Sequence, residues 1–304
     1  MTTTKHPSGI LILDKPAGMT SFDCIRKLKK IWNRSDLGHG GTLDKFATGL
    51  LPVLAGEGLK LARFFLESYP GLPTYWKTYT GTFALGTSTE TGDPEGAVVE
   101  TRDAGMLTVE RVQAAMDSFT GHAYEQMPPR YSAKKIGGER ASDLARAGIE
   151  AELKPSLVTI RRFRCLGIEG ARVHFEAECS KGTYVRVLAT DLARKLDTVG
   201  HVAELRRTAV GTFEIASAVK FEQLEGIAAA GLLDLNAATS FIPSLELISG
   251  ELEQLRVGRT DLIATRLANS GRAPGIYCAR TPAAPVALFE LDAEKHASFL
   301  RAFV

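Results

Sequence analysis

The sequence predicts a mixed α/β main domain interrupted by a basic insertion and followed by a small β-rich appendage. Three observations predict it. Short apolar or alternating runs recur at 9–14, 77–85, 157–168, 172–178 and 204–213, as strands require. Two segments, 20–31 and 108–119, carry polar caps ahead of apolar residues at helical spacing. After a Gly/Ala-rich stretch at 226–231 the chain becomes short-segmented and Gly/Pro-punctuated, ending in the strand-like run 285–291.

Residues 9–14 (GILILD) form an apolar run closed by Lys15-Pro16-Ala17-Gly18, a buried strand and then a turn. In the helix that follows, Thr20 or Ser21 caps, Asp23 suits the first turn, and Phe22, Ile25, Leu28 and Ile31 form the inward stripe, leaving Arg26, Lys27, Lys29 and Lys30 outside. Residues 38–49 are a glycine-rich loop, and a helical pattern restarts through Leu59, Ala62 and Phe65. The run 77–85, rich in Thr, Tyr and Phe, reads as a strand, and the helix after Thr108 turns Val109, Val112, Met116 and Phe119 inward. Pro128-Pro129 opens a polar, basic insertion to about residue 155 with a short helix at 139–147 that Gly148 ends. Residues 184–196 pass from strand end into helix. The expected division is 1–245 for the main domain and 246–304 for the appendage.

The 304 residues are 44% hydrophobic and 24% charged, which excludes wholesale disorder. Lys and Arg (37) nearly balance Asp and Glu (35), for a net charge of +2, but the charges are segregated. Residues 86–126 hold eight acids and two bases, and 130–146 five bases and two acids. From Glu246 onward the signs cancel, seven each. Cys24, Cys165, Cys179 and Cys278 are far apart, which argues against a zinc site or a disulfide framework and fits reduced thiols in a cytoplasm. With no apolar leader or membrane-length run, the expectation is a soluble cytoplasmic protein. No heptad or obvious apolar patch calls for a partner chain, so the expected state is a monomer without an obligate protein partner.

The segment with most chemical content is 38–49, GHGGTLDKFATG. Its glycines let backbone approach a ligand closely, and Asp44 is its one carboxylate. On these residues alone, an Asp in such a loop is more often a turn or cap residue than a catalyst. The segment lacks the Gly-Lys-Ser/Thr ending of a phosphate loop and the spacing of a dinucleotide fingerprint.

His39, the run Gly40-Gly41-Thr42-Leu43-Asp44 and Ala47-Thr48-Gly49 are, however, similar to the signature loop of TruB-type tRNA pseudouridine synthases. The resemblance continues in order through GILILDKPAGMTS at 9–21, Tyr79, GTSTETGDPEG at 86–96, Tyr131-Ser132-Ala133-Lys134, CSKGTYVRVLATDL at 179–192 and HVAELRRTAV at 201–210. The last fifty or so residues resemble the family's PUA-like domain only weakly. Family members usually carry Ala or Thr and a Pro around the signature Asp, where this chain has Gly40, Thr42 and Lys45.

The resemblance implies the pseudouridine synthase fold, with a central mixed, largely antiparallel sheet, and an isomerase that turns uridine into pseudouridine at position 55 of the tRNA T loop by base flipping, with no cofactor and no metal. It gives Asp44 the central role, Arg186 the pairing of that carboxylate, and Tyr79 the stacking on the flipped base. On spacing alone, Arg186 reads as a surface strand arginine and Tyr79 as a buried structural tyrosine. Tyr184 and Leu205 would line the base pocket, His39 would fill or stack near the vacated site, and Asp93 would contact an RNA base. Lys15 and Lys60 would be structural or phosphate-facing. Arg130, Lys134, Lys135, Arg140, Lys181, Arg206 and Arg207 are candidates for phosphate contacts along the T arm, each singly more often a solvated charge. A non-catalytic RNA-binding module of the same fold, and a guide-RNA-dependent synthase, are the rivals.

Overall fold

The computed structural model describes residues 6–67, 69, 71–132, 135–149, 152–225 and 231–303. Its strands are β1 (Gly9–Lys15), β2 (Leu37–His39), β3 (Thr48–Ala55), β4 (Trp76–Leu85), β5 (Thr87–Thr89), β6 (Val98–Thr101), β7 (Ala123–Gln126), β8 (Lys135–Ile136), β9 (Glu139–Arg140), β10 (Ser156–Glu169), β11 (Arg172–Ser180), β12 (Gly200–Val210), β13 (Phe213–Glu214), β14 (Val219–Lys220), β15 (Ser244–Glu246), β16 (Gly275–Arg280), β17 (Pro285–Leu291) and β18 (Ala297–Ala302). The helices are α1 (Ser21–Ile31), α2 (Ala62–Leu66), α3 (Val109–Asp117), α4 (Ala141–Arg146), α5 (Val185–Lys195), α6 (Leu235–Ala238), α7 (Glu251–Arg256) and α8 (Asp261–Ala268).

One ten-stranded sheet runs β14-β1-β3-β12-β4-β11-β10-β7, with β2 on β3 and β13 on β12. Only the β1–β14 and β3–β12 pairs are parallel, so the sheet is mixed and largely antiparallel as expected. The parallel β3–β12 contact has a functional consequence: it sets Arg206 and Arg207 beside Thr48 and Gly49, where the Asp44 loop ends.

The strand β3 has no counterpart among the sequence expectations. Pro52 interrupts its apolar run, yet β3 lies between β1 and β12 with nearly every side chain buried. Pro52 has no N–H to give a neighbouring strand, and its carbonyl accepts the Gly40 N–H (2.8 Å) from the incoming loop.

Two helices need correction. In α1, Thr20 and Asp23 form a capping box, but the buried residues are Ser21, Cys24, Ile25 and Leu28, and Phe22 is 65% exposed rather than inward. In α3, Val109 is exposed while Val112 and Met116 are buried.

The small sheet β15-β16-β17-β18 packs one face against α8 through Ile263, Leu267, Tyr277 and Phe289. Its other face joins the main core: Ile276, Cys278, Leu288 and Phe303 share a cluster with Ile10, Leu50, Phe64 and Phe241. The appendage is therefore fused to the main domain by a common apolar core. Lys60 clamps it further, donating to the Ala302 carbonyl at 2.7 Å and pairing with Glu57. No helix among the described residues is long and apolar enough to cross a membrane.

Candidate active site

Residues 40–47 cross from β2 to β3 with few side chains of their own to hold them, so the surrounding structure fixes them. Arg207, fully buried on β12, donates from Nε to the Leu50 carbonyl (2.7 Å), from Nη2 to Gly41 (3.1 Å) and from Nη1 to Thr42 (3.3 Å). Lys15, equally buried, donates to the carbonyls of Met19 (2.6 Å), Pro16 (2.9 Å) and Lys45 (3.4 Å). Ser21 of α1 accepts from Leu43 N–H at 2.9 Å. These bonds order the loop on both sides of Asp44 before any ligand arrives.

Two glycines are required by close approach. A Cβ on Gly40 would meet the Phe65 ring at 2.8 Å, and one on Gly49 would lie 2.3 Å from the Arg207 carbonyl at a φ of +104°. Gly49→Ala is therefore expected to destabilise the fold by about 1–3 kcal/mol, from backbone strain together with displacement of β12. Chemical denaturation measures it, and an unchanged midpoint would refute the account.

Asp44 faces Arg186, which enters from the first turn of α5 and is buried. Arg186 Nε donates to Oδ2 (3.0 Å) and Nη2 to Oδ1 (3.3 Å), a two-point grip that fixes the carboxylate plane. The remaining guanidinium hydrogens reach the carbonyls of Thr91 (2.9 Å) and Tyr131 (2.9 Å), and Nη1 stands 3.5 Å from Asp93. Burial pushes the Asp44 carboxyl above the ordinary carboxylate range, with Arg186 opposing it and Asp93 reinforcing it. The side chain is still 38% accessible through the pocket mouth, so the acid is desolvated yet reachable.

A cavity of about 220 Å³ opens over this pair, lined by Tyr79 and Lys77 from β4, Leu205 from β12, and Tyr184 at the N-terminus of α5. Burial raises the phenols of Tyr79 and Tyr184. Tyr184 is fixed through its backbone N–H, which donates to Gln126 Oε1 at 2.7 Å. Asp44 also borders a second, larger cavity of about 580 Å³ whose walls include His39, Phe22, Thr91 and Tyr131. One carboxylate thus sits where a small, partly aromatic pocket meets a wide polar groove.

The structure brings together Asp44, Arg186, Tyr79, Tyr184, Leu205 and Lys181 at the pocket and His39 at the groove, where His39 Nδ1 accepts from Gly41 N–H (3.3 Å). Other candidates lie elsewhere. Asp93 borders the groove but is largely buried behind Arg186, where its carboxylate accepts from Thr91 Oγ1 and Glu95 N–H and braces the arginine. Arg207 and Lys15 are interior anchors with no surface for phosphate. Arg206 holds Asp14 at 2.6 and 3.0 Å. Lys60 serves the appendage. Lys45, the unexpected neighbour of Asp44, turns to Glu95 at 3.5 Å.

In the insertion, Arg130 borders a cavity of about 640 Å³ with Glu90, Tyr131 and Ile149, and Tyr131 donates to Glu90 at 3.0 Å. The backbones of Lys135 and Arg140 pair in the β8–β9 hairpin, and Lys134 lies outside the described residues. Lys77 and Phe22 were absent from the expected site. Lys77 is two residues before Tyr79, on the same strand face, a signal available in the sequence.

Comparison with known proteins now gives the class. The chain superposes on one in a solved "Cbf5-Nop10-Gar1 Complex" with a TM-score of 0.69, covering 97% of this chain and 85% of that one at 20% identity. A similar match, TM-score 0.70 with the same coverage and identity, is to "H/ACA RNP bound to a substrate RNA containing 2'-deoxyuridine". The fold is that of the pseudouridine synthases. Residues 29–185 match the model of the TruB family pseudouridylate synthase N-terminal domain, and 186–238 that of the tRNA pseudouridylate synthase B C-terminal domain. Proteins named tRNA pseudouridine synthase B are similar along most of the chain. That of Aromatoleum aromaticum is 41% identical over 255 residues, 83% of this chain and 80% of its own, and that of Caulobacter vibrioides 40% over 265 residues, 85% and 83%. The chain belongs to the TruB family of pseudouridylate synthases.

Proposed function

We propose that the protein isomerises uridine to pseudouridine in tRNA, at position 55 of the T loop, with the base flipped into the pocket over Asp44. The observation that carries the reading is a single carboxylate held at two points by a buried arginine on the floor of a pocket too small for more than one base, beside a groove wide enough for a strand. A positioned carboxylate suffices for this reaction: it attacks C1′ or C6, or removes the C2′ proton, and no redox change or net hydrolysis follows. Tyr79 gives the ring a flat partner on which to turn. Asp44 is the one carboxylate lining the small pocket, which tells against glycoside hydrolysis with its two facing carboxylates.

Extrusion of the base costs a few kcal/mol, which contacts along the RNA must offset. Phe22, exposed on the rim of the groove with the Arg26 guanidinium 6.0 Å from its ring centre, is suited to stack on a displaced base. Phe22→Ala is expected to weaken binding of a T-arm stem-loop by about 1–3 kcal/mol with unfolding unchanged. Equal Kd values by fluorescence anisotropy would remove Phe22 from the interface.

Retention of Asp44, Tyr79 and Arg186 in one pocket argues against a binding module that has lost its chemistry. Position-resolved mapping of pseudouridine in an unmodified T-arm stem-loop, with purified protein and nothing else added, is the test. Product at the T-loop uridine is the expected result, and RNA binding without product would overturn the reading.

A further inference from the structure

Lys77 is a half-buried ionisable group with no part in the chemistry above. Lys77 projects from the same face of β4 as Tyr79, directly opposite Cys179 of β11, and lines the pocket that holds Asp44. Its Nζ lies against the catalytic loop: a Cβ built on Gly41 would be 3.4 Å from it. Among the described residues no carboxylate forms an ion pair with it, and the charged groups that bear on it are the cations Arg207 and Lys181. The one group opposing them, the Cys179 thiol, is itself pushed up to about 12 by burial and so stays neutral. Burial and Arg207 together lower the Lys77 ammonium to about 7. A lysine serving only the fold would be expected to pair with an acid or a carbonyl, as Lys15 and Lys60 do.

We propose that Lys77 is the cationic partner of the uracil ring during isomerisation, a catalytic residue in addition to Asp44 and Tyr79. The proposal rests on the function inferred above. Negative charge develops on the ring by every route open to Asp44. If the carboxylate attacks C1′, or takes the C2′ proton, the C1′–N1 bond breaks with its electron pair going to the ring. If it attacks C6, the pair displaced from the C5–C6 double bond enters the enolate spanning C5 and O4. In the C6 route the C1′–N1 bond breaks next. After rotation a ring pair forms the C5–C1′ bond while, route by route, the Asp44–C1′ bond breaks, Asp44 returns its proton to C2′, or the Asp44–C6 bond is released. The C5 hydrogen leaves to solvent as N1 gains one, so the carboxylate is regenerated and the sum is an isomerisation. Lys77 transfers no proton in this sequence. Its ammonium lowers the energy of the anionic ring in a pocket where water competes poorly, while Arg186 is committed to Asp44 and Arg207 to the loop.

The experiment compares single-turnover rates of wild type and Lys77→Met on a T-arm stem-loop from pH 5.5 to 8.5, with Kd and circular dichroism measured on both. The expected wild-type profile falls on the alkaline side as Lys77 loses its proton. Lys77→Met is expected to bind RNA normally, to react about 100-fold more slowly at pH 6 and to lack the alkaline fall, so that the two rates converge as pH rises. A variant within twofold of wild type throughout, or slower by one constant factor at every pH, would overturn the proposal. So would a wild-type profile with no alkaline fall, which needs no variant to fold. Absence of product from wild type at any pH would instead defeat the functional reading on which the proposal stands.

Discussion

Asp44→Asn is expected to reduce pseudouridine formation by about four orders of magnitude or more while leaving the fold and RNA binding in place. The substitution keeps the side-chain volume, and Asn Oδ1 still accepts from Arg186 Nε, but the amide nitrogen now meets Arg186 Nη2 as donor against donor. Arg186 keeps its carbonyl contacts to Thr91 and Tyr131 and its acid Asp93, so α5 does not lose its anchor. The amide can neither attack carbon nor take a proton. Single-turnover assays with enzyme in excess, alongside thermal melts, check both halves, and a variant retaining more than a few per cent of the wild-type rate would mean that another group does the chemistry. The wild-type pH profile carries a related expectation. Because burial raises the Asp44 carboxyl above the ordinary carboxylate range and the carboxylate is the working form, the acid limb should lie above that of an ordinary aspartate.

How much of this was legible in the sequence varied with the physics involved. Strands with regular alternation, such as β4 and β17, and helices with polar caps were readable because local chemistry decides them. The strand β3 was not, since Pro52 interrupts its apolar run and its place between β1 and β12 is a tertiary matter that no local pattern encodes. Helix α1 misled differently: a polar residue, Ser21, takes the inward position because it bonds Leu43 of the catalytic loop, and Phe22 is turned out to the groove. For Arg207 the signal was present. Leu205 and Arg207 are two apart on one strand, so an inward Leu205 implies an inward Arg207, with Arg206 opposite. That rule also links Lys77 to Tyr79. The pairing of Asp44 with Arg186 spans 142 residues, and only the family resemblance made it foreseeable.

The same pairing yields the second large expected effect. Arg186→Met should cost both stability and activity, because the arginine serves two carboxylates and two carbonyls from a buried position. Removing it leaves Asp44 and Asp93 facing each other across a desolvated gap. Breaking a buried pair in this way costs about 3–5 kcal/mol, and the lower figure applies because Asp44 opens to solvent and can protonate. The sign of the pH dependence follows from the cause. In wild type Arg186 opposes the rise of the Asp44 carboxyl, so its loss raises that group further. A carboxyl that binds its proton more tightly folded than unfolded makes stability decline as pH rises from the unfolded value through the folded one. The variant should therefore lie closest to wild type in acid and fall away toward neutrality, and its residual activity should begin at higher pH as Asp44 ionises later. Urea unfolding at several pH values, paired with single-turnover rates, tests both trends. Arg186→Lys separates charge from geometry: an ammonium restores part of the attraction but not the two-point grip, so stability should recover more than rate. A destabilisation independent of pH would show that Arg186 acts through packing rather than through the two carboxylates it joins.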